Sequence, residues 1–226
     1  GALAAAALNA DVERFLRKVR FPYTVGYGMT ECGPLISYAY WTAFKERSCG
    51  KVVDRMQVKI DSPDPENAAG EILAKGANVM LGYYKNDEAT REAFTADGWL
   101  KTGDLGTLDK DNFVFIRGRD KNMILGASGQ NIYPEEIEER INASPFVEES
   151  LAIEEEGKII ALIVPNRDAL EENGIAKNEW DTFFLQVVAD LNTKLPAYSR
   201  LSSFRLQEEE FEKTPKRSIK RFKYQK

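Results

Sequence analysis

Residues 115–139 read "FIRGRDKNMILGASGQNIYPEEIEE", and the way this stretch divides decides the fold. Clustered charges over 117–121 give way to a Gly/Ser loop, and the loop to a helix start. Pro134 suits a first helical turn, where its missing N–H is no loss, and Glu135 and Glu136 favour the positive end of the helix. Upstream the pattern is rich in short strands and tight turns; downstream strand and helix patterns mix. The break is placed at Arg119–Lys121, which gives two domains, 1–119 and 120–226, and an α+β class. Taken alone, the same stretch reads equally well as a charged linker before a capped helix.

Working outward, "MQVKI" (56–60) and "GEILAKG" (70–76) predict strands around the turn cluster "DSPDPENAAG" (61–70). "NDEATREAF" (86–94) predicts a short helix capped by Asn86 or Asp87. Residues 97–119 predict two strands around the turn "DKDN" (109–112). At the front, residues 1–19 read as helical, with Leu8, Val12, Phe15, Leu16 and Val19 on one face, and Asn9 or Asp11 able to cap a second helix. Beyond the break, "FVEESLAI" (146–153) and "KIIALIV" (158–164) predict strands. Trp180–Leu195 predicts an amphipathic helix stopped by Pro196, and "SSFRL" (202–206) a last strand.

The chain has 226 residues, 43% of them hydrophobic and 30% charged, with a net charge of −5. This describes a globular protein that avoids polyanions, and no nucleic-acid partner is expected. No apolar run approaches the ~20 residues that span a bilayer. The Ala-rich opening lacks the basic region of a signal peptide. Two cysteines in no framework point to a reducing, cytoplasmic setting. There is no histidine, which removes Ser-His-Asp triads, Cys-His dyads and His-held metals. The chain does not begin with Met, and a piece of a longer protein is expected.

Three stretches could carry chemistry. "GYGMTECG" (26–33) places three glycines, an aromatic, a hydroxyl and a carboxylate in eight positions. Its backbone could approach a ligand closely, Tyr27 could lie against a flat ring, Thr30 could bond a phosphate oxygen and Glu31 could hold a hard cation. It could equally be a Gly-rich turn. "WLKTGDLG" (99–106) sets Asp104 at a strand end, where a carboxylate can accept ribose hydroxyls or bond its own turn. The third is the opening stretch.

Their order resembles the adenylate-forming superfamily, which includes acyl-CoA synthetases and peptide-synthetase adenylation domains. "YGMTE" is similar to its Y-G-x-T-E motif and "WLKTGDLG" to W-x-x-T-G-D. "IRGRDKNMI" followed by "SGQNIYPEEIE" is similar to its G-R-x-[KD] and G-x-x-[IV]-x-P-x-E-[IL]-E signature. "GANVMLGYYKNDEATREAF" (76–94) most resembles long-chain fatty acyl-CoA ligases. The resemblance implies a remnant of the large domain, with a distorted β-barrel segment over 45–117, followed by a small mobile α+β domain.

By resemblance, Gly26, Tyr27 and Gly28 border adenine, Thr30 contacts phosphate and Glu31 holds Mg²⁺. Asp104 binds the ribose with Arg119 in support, Lys121 is the hinge, and Ser128, Gly129, Gln130 and Asn131 face CoA. ATP, Mg²⁺, CoA and a fatty acid are the implied ligands, and peripheral membrane association of the whole enzyme stays open. The family's upstream phosphate loop is not in these residues, so the chain alone is expected to be inactive. An aryl or amino-acid adenylation homologue and a non-catalytic nucleotide-binding module are the competing readings.

The basic stretch "KTPKRSIKR" (213–221) resembles the family's tail, in which a lysine bridges the two reacting anions. Aligned on "IKR", Ser218 falls where lysine is expected; aligned on Thr-Pro, Lys216 does. Lys216 is favoured over Lys220, and the remaining tail charges are expected to be solvated.

Overall fold

The computed structural model describes residues 2–4, 8–43, 45–126, 128–215 and 217–225. The chain divides into two compact units, Gly1–Lys121 and Asn122–Lys226. No helix among the described residues is long and apolar enough to cross a membrane.

The first unit opens with β1 (Ala2–Ala4) and α1 (Ala10–Lys18). Next come β2 (Thr24–Gly28), β3 (Leu35–Tyr38) and β4 (Lys51–Val52). The first sheet has the order β1-β2-β3-β4. A helix from residue 1 is not what forms: Ala2–Ala4 pair in parallel with Thr24–Gly26, so strand pairing overrides the helix propensity of alanine. The helix starts where Asn9 Oδ1 accepts from the N–H of Asp11 at 2.9 Å and of Val12 at 3.3 Å. The expected apolar face also splits. Leu8 and Leu16 pack on the core, while Val12, Phe15 and Val19 are exposed.

The second sheet is β5 (Met56–Asp61), β6 (Gly70–Gly76), β7 (Leu100–Leu108) and β8 (Val114–Arg119), with α2 (Asp87–Ala93) between β6 and β7. Asn86 caps α2 through the N–H of Ala89. The strands form an antiparallel meander in chain order, and β5 does not pair with β8. The barrel expected over 45–117 is therefore an open sheet; four strands are too few to close around a core. Residues 49–52 stitch the two sheets, with Cys49 N–H on the Val114 carbonyl at 2.7 Å and Val52 N–H on that of Asn112 at 2.9 Å. Both sheets contribute to one apolar core that includes Val25, Tyr27, Ile36, Ile60, Ile72, Leu100 and Val114.

The second unit contains β9 (Ile124–Leu125), β10 (Asn131–Ile132), α3 (Pro134–Ile141), β11 (Val147–Glu155) and β12 (Lys158–Pro165). It continues with α4 (Arg167–Glu172), α5 (Trp180–Lys194) and β13 (Ser203–Leu206). β11 and β12 are antiparallel and β13 joins β12 in parallel. Side chains alternate across this sheet. Ala152, Ala161 and Ile163 share one core with Ile137 and Ile141 of α3 and Phe184 and Val188 of α5. Leu151, Ile153, Ile160 and Leu162 share the other with Phe211, packed by Ile219 and Tyr224 from the tail. Burial on both faces explains why β12 is apolar throughout rather than alternating.

Phe184 is fully buried and meets Phe183 edge-on with ring centroids 5.5 Å apart. Phe184→Ala is expected to cost the second unit about 3–5 kcal/mol, read from its denaturant midpoint with the transition of the first unit unmoved.

Candidate nucleotide site

The turn after β7 sets the site. Asp109 Oδ1 accepts from the N–H of Asp111 and of Phe113, each at 2.9 Å, and Asn112 takes a positive φ of 64°. This returns β8 in a register that places Asp104 opposite Arg119. Arg119 Nε lies 2.8 Å from Asp104 Oδ1. The Tyr27 hydroxyl, reaching from β2, donates to Asp104 Oδ2 at 2.8 Å. Thr102 holds the bend: its hydroxyl donates to the Ile72 carbonyl at 2.7 Å and accepts from the Asp104 N–H at 3.1 Å. Gly103, between them, has φ 70°, a conformation that glycine adopts without strain.

Asp104 is 6% exposed. A carboxylate so placed is stable only with charged or hydrogen-bonding partners, and both its oxygens are engaged. Each carboxylate oxygen can accept more than one bond. Burial, and after it the Asp104 charge, pushes the Tyr27 phenol well above its usual value of 10.0. The phenol is thus a permanent donor at neutral pH.

The rest of "GYGMTECG" lies along β2 and the short 3-10 turn Thr30–Cys32. Thr30 is exposed and Glu31 half-buried. Glu31 accepts from the Tyr83 hydroxyl at 3.1 Å, and its carbonyl accepts from the Met80 N–H at 2.7 Å. Asn78 Nδ2 donates to the carbonyls of Cys32 at 2.6 Å and Leu35 at 3.1 Å, fixing the turn. A Cβ at Gly28 would stand 1.9 Å from the Pro34 carbonyl oxygen, so this position admits glycine alone. Gly26 has more room, with its nearest contact at 3.3 Å.

In the second unit, β9 and β10 form a hairpin whose loop exposes Ser128, Gly129 and Gln130, with Asn131 at the start of β10. Gly126 N–H bonds the Gln130 carbonyl at 2.8 Å. Lys121 is exposed in the turn Asp120–Asn122. Lys216 lies outside the described residues. Lys220 Nζ is held 2.6 Å from Glu212.

The structure thus gathers Tyr27, Asp104 and Arg119 into one cluster. Tyr27 is a buried core residue tied to Asp104 rather than a ring standing free. Thr102, Asn78 and Tyr83 were assigned no role from the sequence. Thr102 was legible as the threonine of "KTGD", whereas Asn78 and Tyr83 act across long sequence separations that no local pattern marks.

Comparison with known proteins decides the family. A profile described as "AMP-binding enzyme" matches residues 2–84, and one described as "AMP-binding enzyme C-terminal domain" matches residues 121–226. The chain belongs to the AMP-binding enzyme family. A long-chain-fatty-acid–CoA ligase of Gallus gallus is 34% identical over 161 residues, which are 71% of this chain and 21% of that protein. One of Mycobacterium bovis is 35% identical over 167 residues, 74% of this chain and 27% of that protein. The chain thus spans about a quarter of the length of these relatives. Among solved structures, o-succinylbenzoate CoA synthetase of Bacillus subtilis with its acyl-adenylate intermediate has a TM-score of 0.79 at 26% identity. The match covers 99% of this chain and 45% of that one. The same enzyme with ATP and magnesium ion also scores 0.79, covering 96% and 44%.

Tyr27→Phe removes a donor from a buried carboxylate and is expected to cost about 1.5–3 kcal/mol at pH 8. The native phenol resists ionisation while the unfolded one ionises near 10.0. Its contribution to stability is therefore full below pH 10 and lost as pH rises beyond it. Denaturant titrations from pH 8 to 11 should show this fall, and Tyr27→Phe should flatten it.

Proposed function

We propose that the chain is the ribose-binding and hinge-bearing part of an ATP-dependent long-chain fatty acid–CoA ligase. Residues 1–119 are the last part of the large domain, and 120–226 the small mobile domain pivoting at Lys121. The observation that carries this reading is the Asp104 carboxylate, buried yet engaged on both oxygens by Tyr27 and Arg119 at 2.8 Å each. In this reading it accepts from the paired hydroxyls of a ribose. Identities of 34–35% to long-chain-fatty-acid–CoA ligases support the substrate class.

The first step joins a carboxylate to the α-phosphorus of ATP and expels pyrophosphate; in the second, the CoA thiol attacks the acyl carbon and AMP leaves. The reactants of the first step repel each other, so catalysis rests on placed positive charge rather than acid–base work. Gly26–Gly28 border the adenine, and Thr30 bonds a phosphate oxygen. Among the described residues no cluster of three carboxylate or thiol ligands exists. Mg²⁺ is usually held by one or two carboxylates and substrate phosphates. Glu31, oriented by Tyr83, is the carboxylate, and the ion bound there would shield the leaving pyrophosphate. Lys216 supplies the cation between the two anions. Lys220 is the weaker choice because Glu212 engages its ammonium. Ser128–Asn131 face the CoA thiol in the second step, and domain rotation at Lys121 exchanges the two arrangements. The unpaired Cys32 and Cys49 accord with a reducing, cytoplasmic compartment.

The test is ATP–pyrophosphate exchange by a ligase in which these residues follow the remaining large domain. Palmitate should support exchange, and Asp104→Ala should reduce it about 10- to 100-fold through lost bonds to the ribose. Exchange with aryl acids alone would favour a substrate like that of the Bacillus subtilis neighbour. ATP binding without exchange would leave a nucleotide-binding module.

A further inference from the structure

The tail after β13 is not a solvated basic strand. Lys213 pairs with Glu149 at 2.8 Å and Glu210 at 2.9 Å, Lys220 and Lys223 pair with Glu212, and Arg221 pairs with Glu138. The chain turns back on itself, with Lys213 opposite Ile219 and Lys220 N–H on the Glu212 carbonyl at 2.8 Å. The Phe211 N–H donates to Glu149 at 2.7 Å, and the Phe211 ring meets Tyr224 edge-on at 5.0 Å. At the tip, Thr214 N–H bonds the Ser218 carbonyl and Arg217 N–H the Thr214 carbonyl, each at 2.8 Å. Pro215, Arg217 and Ser218 are exposed.

One contact in this hairpin is of a different kind. Arg221 and Glu138 are each only 12% exposed, and the guanidinium meets both carboxylate oxygens. Glu138 Oε1 also accepts from the Ala152 N–H at 2.6 Å, and Arg221 Nη1 donates to the Ala152 carbonyl at 3.2 Å. Three elements close into a ring: α3, the middle of β11 and the last turn of the tail. A buried ion pair contributes little net stability compared with apolar residues of the same size, but Nη2 on both Glu138 oxygens together with Nη1 on the Ala152 carbonyl fixes one arrangement. Apolar cover is already supplied here by Phe211, Ile219 and Tyr224. What the pair adds is register.

We propose that Arg221 and Glu138 are positioning residues that fix the base of the tail hairpin, so that its tip, described at residues 214–215 and 217–218, is presented in one geometry for the adenylate-forming step. This rests on the ligase reading above. The two residues touch no reactant; they act through the hairpin.

The test uses Glu138→Met/Arg221→Met, which keeps volume while removing direction, in a ligase carrying these residues. We expect a melting temperature close to that of the parent. The kcat of ATP–pyrophosphate exchange should fall about tenfold or more, with the KM for ATP within about threefold. Thioester formation from supplied acyl adenylate should stay near the parental rate. Amide exchange over 212–224 in the 226-residue chain should speed up while β11 and β12 keep their protection. Glu138→Met alone strands a buried guanidinium and should unfold more readily than the double variant. Unchanged exchange kcat, equal loss in both half-reactions, or unchanged amide protection in the folded double variant would each overturn the proposal. A parent with no exchange activity would instead overturn the ligase reading, and with it the catalytic purpose of the latch; the amide data would still decide the latch itself.

Discussion

Burying Asp104 is the constraint around which the first unit is arranged. A carboxylate withdrawn from water must find donors, and these come from two other strands, β2 and β8. Arg119 stands opposite it because the turn at 109–112 sets the register of β8. Tyr27 arrives from the other sheet, which requires the stitching of 49–52 to 112–114. Thr102 and Gly103 bend β7 so that the side chain reaches both. A shift of one residue of β8 against β7 would turn Arg119 to the face away from Asp104. The residue with the greatest chemical potential in this unit is also the one that most restricts its topology.

The second unit obeys a different rule. Its central strand pair is apolar on both faces, so it needs two covers. α3 and α5 supply one, and the tail supplies the other. The tail is therefore a core element and, on the proposal above, also the bearer of the tip. Ion pairs along it tune placement, while Phe211, Ile219 and Tyr224 provide the burial.

What could be read from the sequence follows from the range of the interactions. Asn86, Pro134, the break before Pro196 and the turn at 109–112 are local signals, and the helices and strands they bound appear where expected. Asp104 and Arg119 carried motif information and lie together. Three things were hidden. Ala2–Ala4 form a strand because β2 offers a partner, which no local propensity records. The sheet over 56–119 stays open because closure depends on strand number and edge pairing rather than on alternation. The tail's lysines and arginines look like solvent-facing charge until Glu138, Glu149 and Glu212 are brought beside them from up to 83 residues away.

The two-sided sheet has a consequence for how the molecule is made. Both strands of the β11–β12 pair are synthesised before Phe211, Ile219 and Tyr224. A growing chain thus passes through a stage at which Leu151, Ile153, Ile160 and Leu162 lie on an uncovered face, an adhesive surface of the kind that recruits chaperones or promotes aggregation. Covering that face and closing the tail hairpin are one event, so a nascent chain hides its last apolar surface only as its final residues fold.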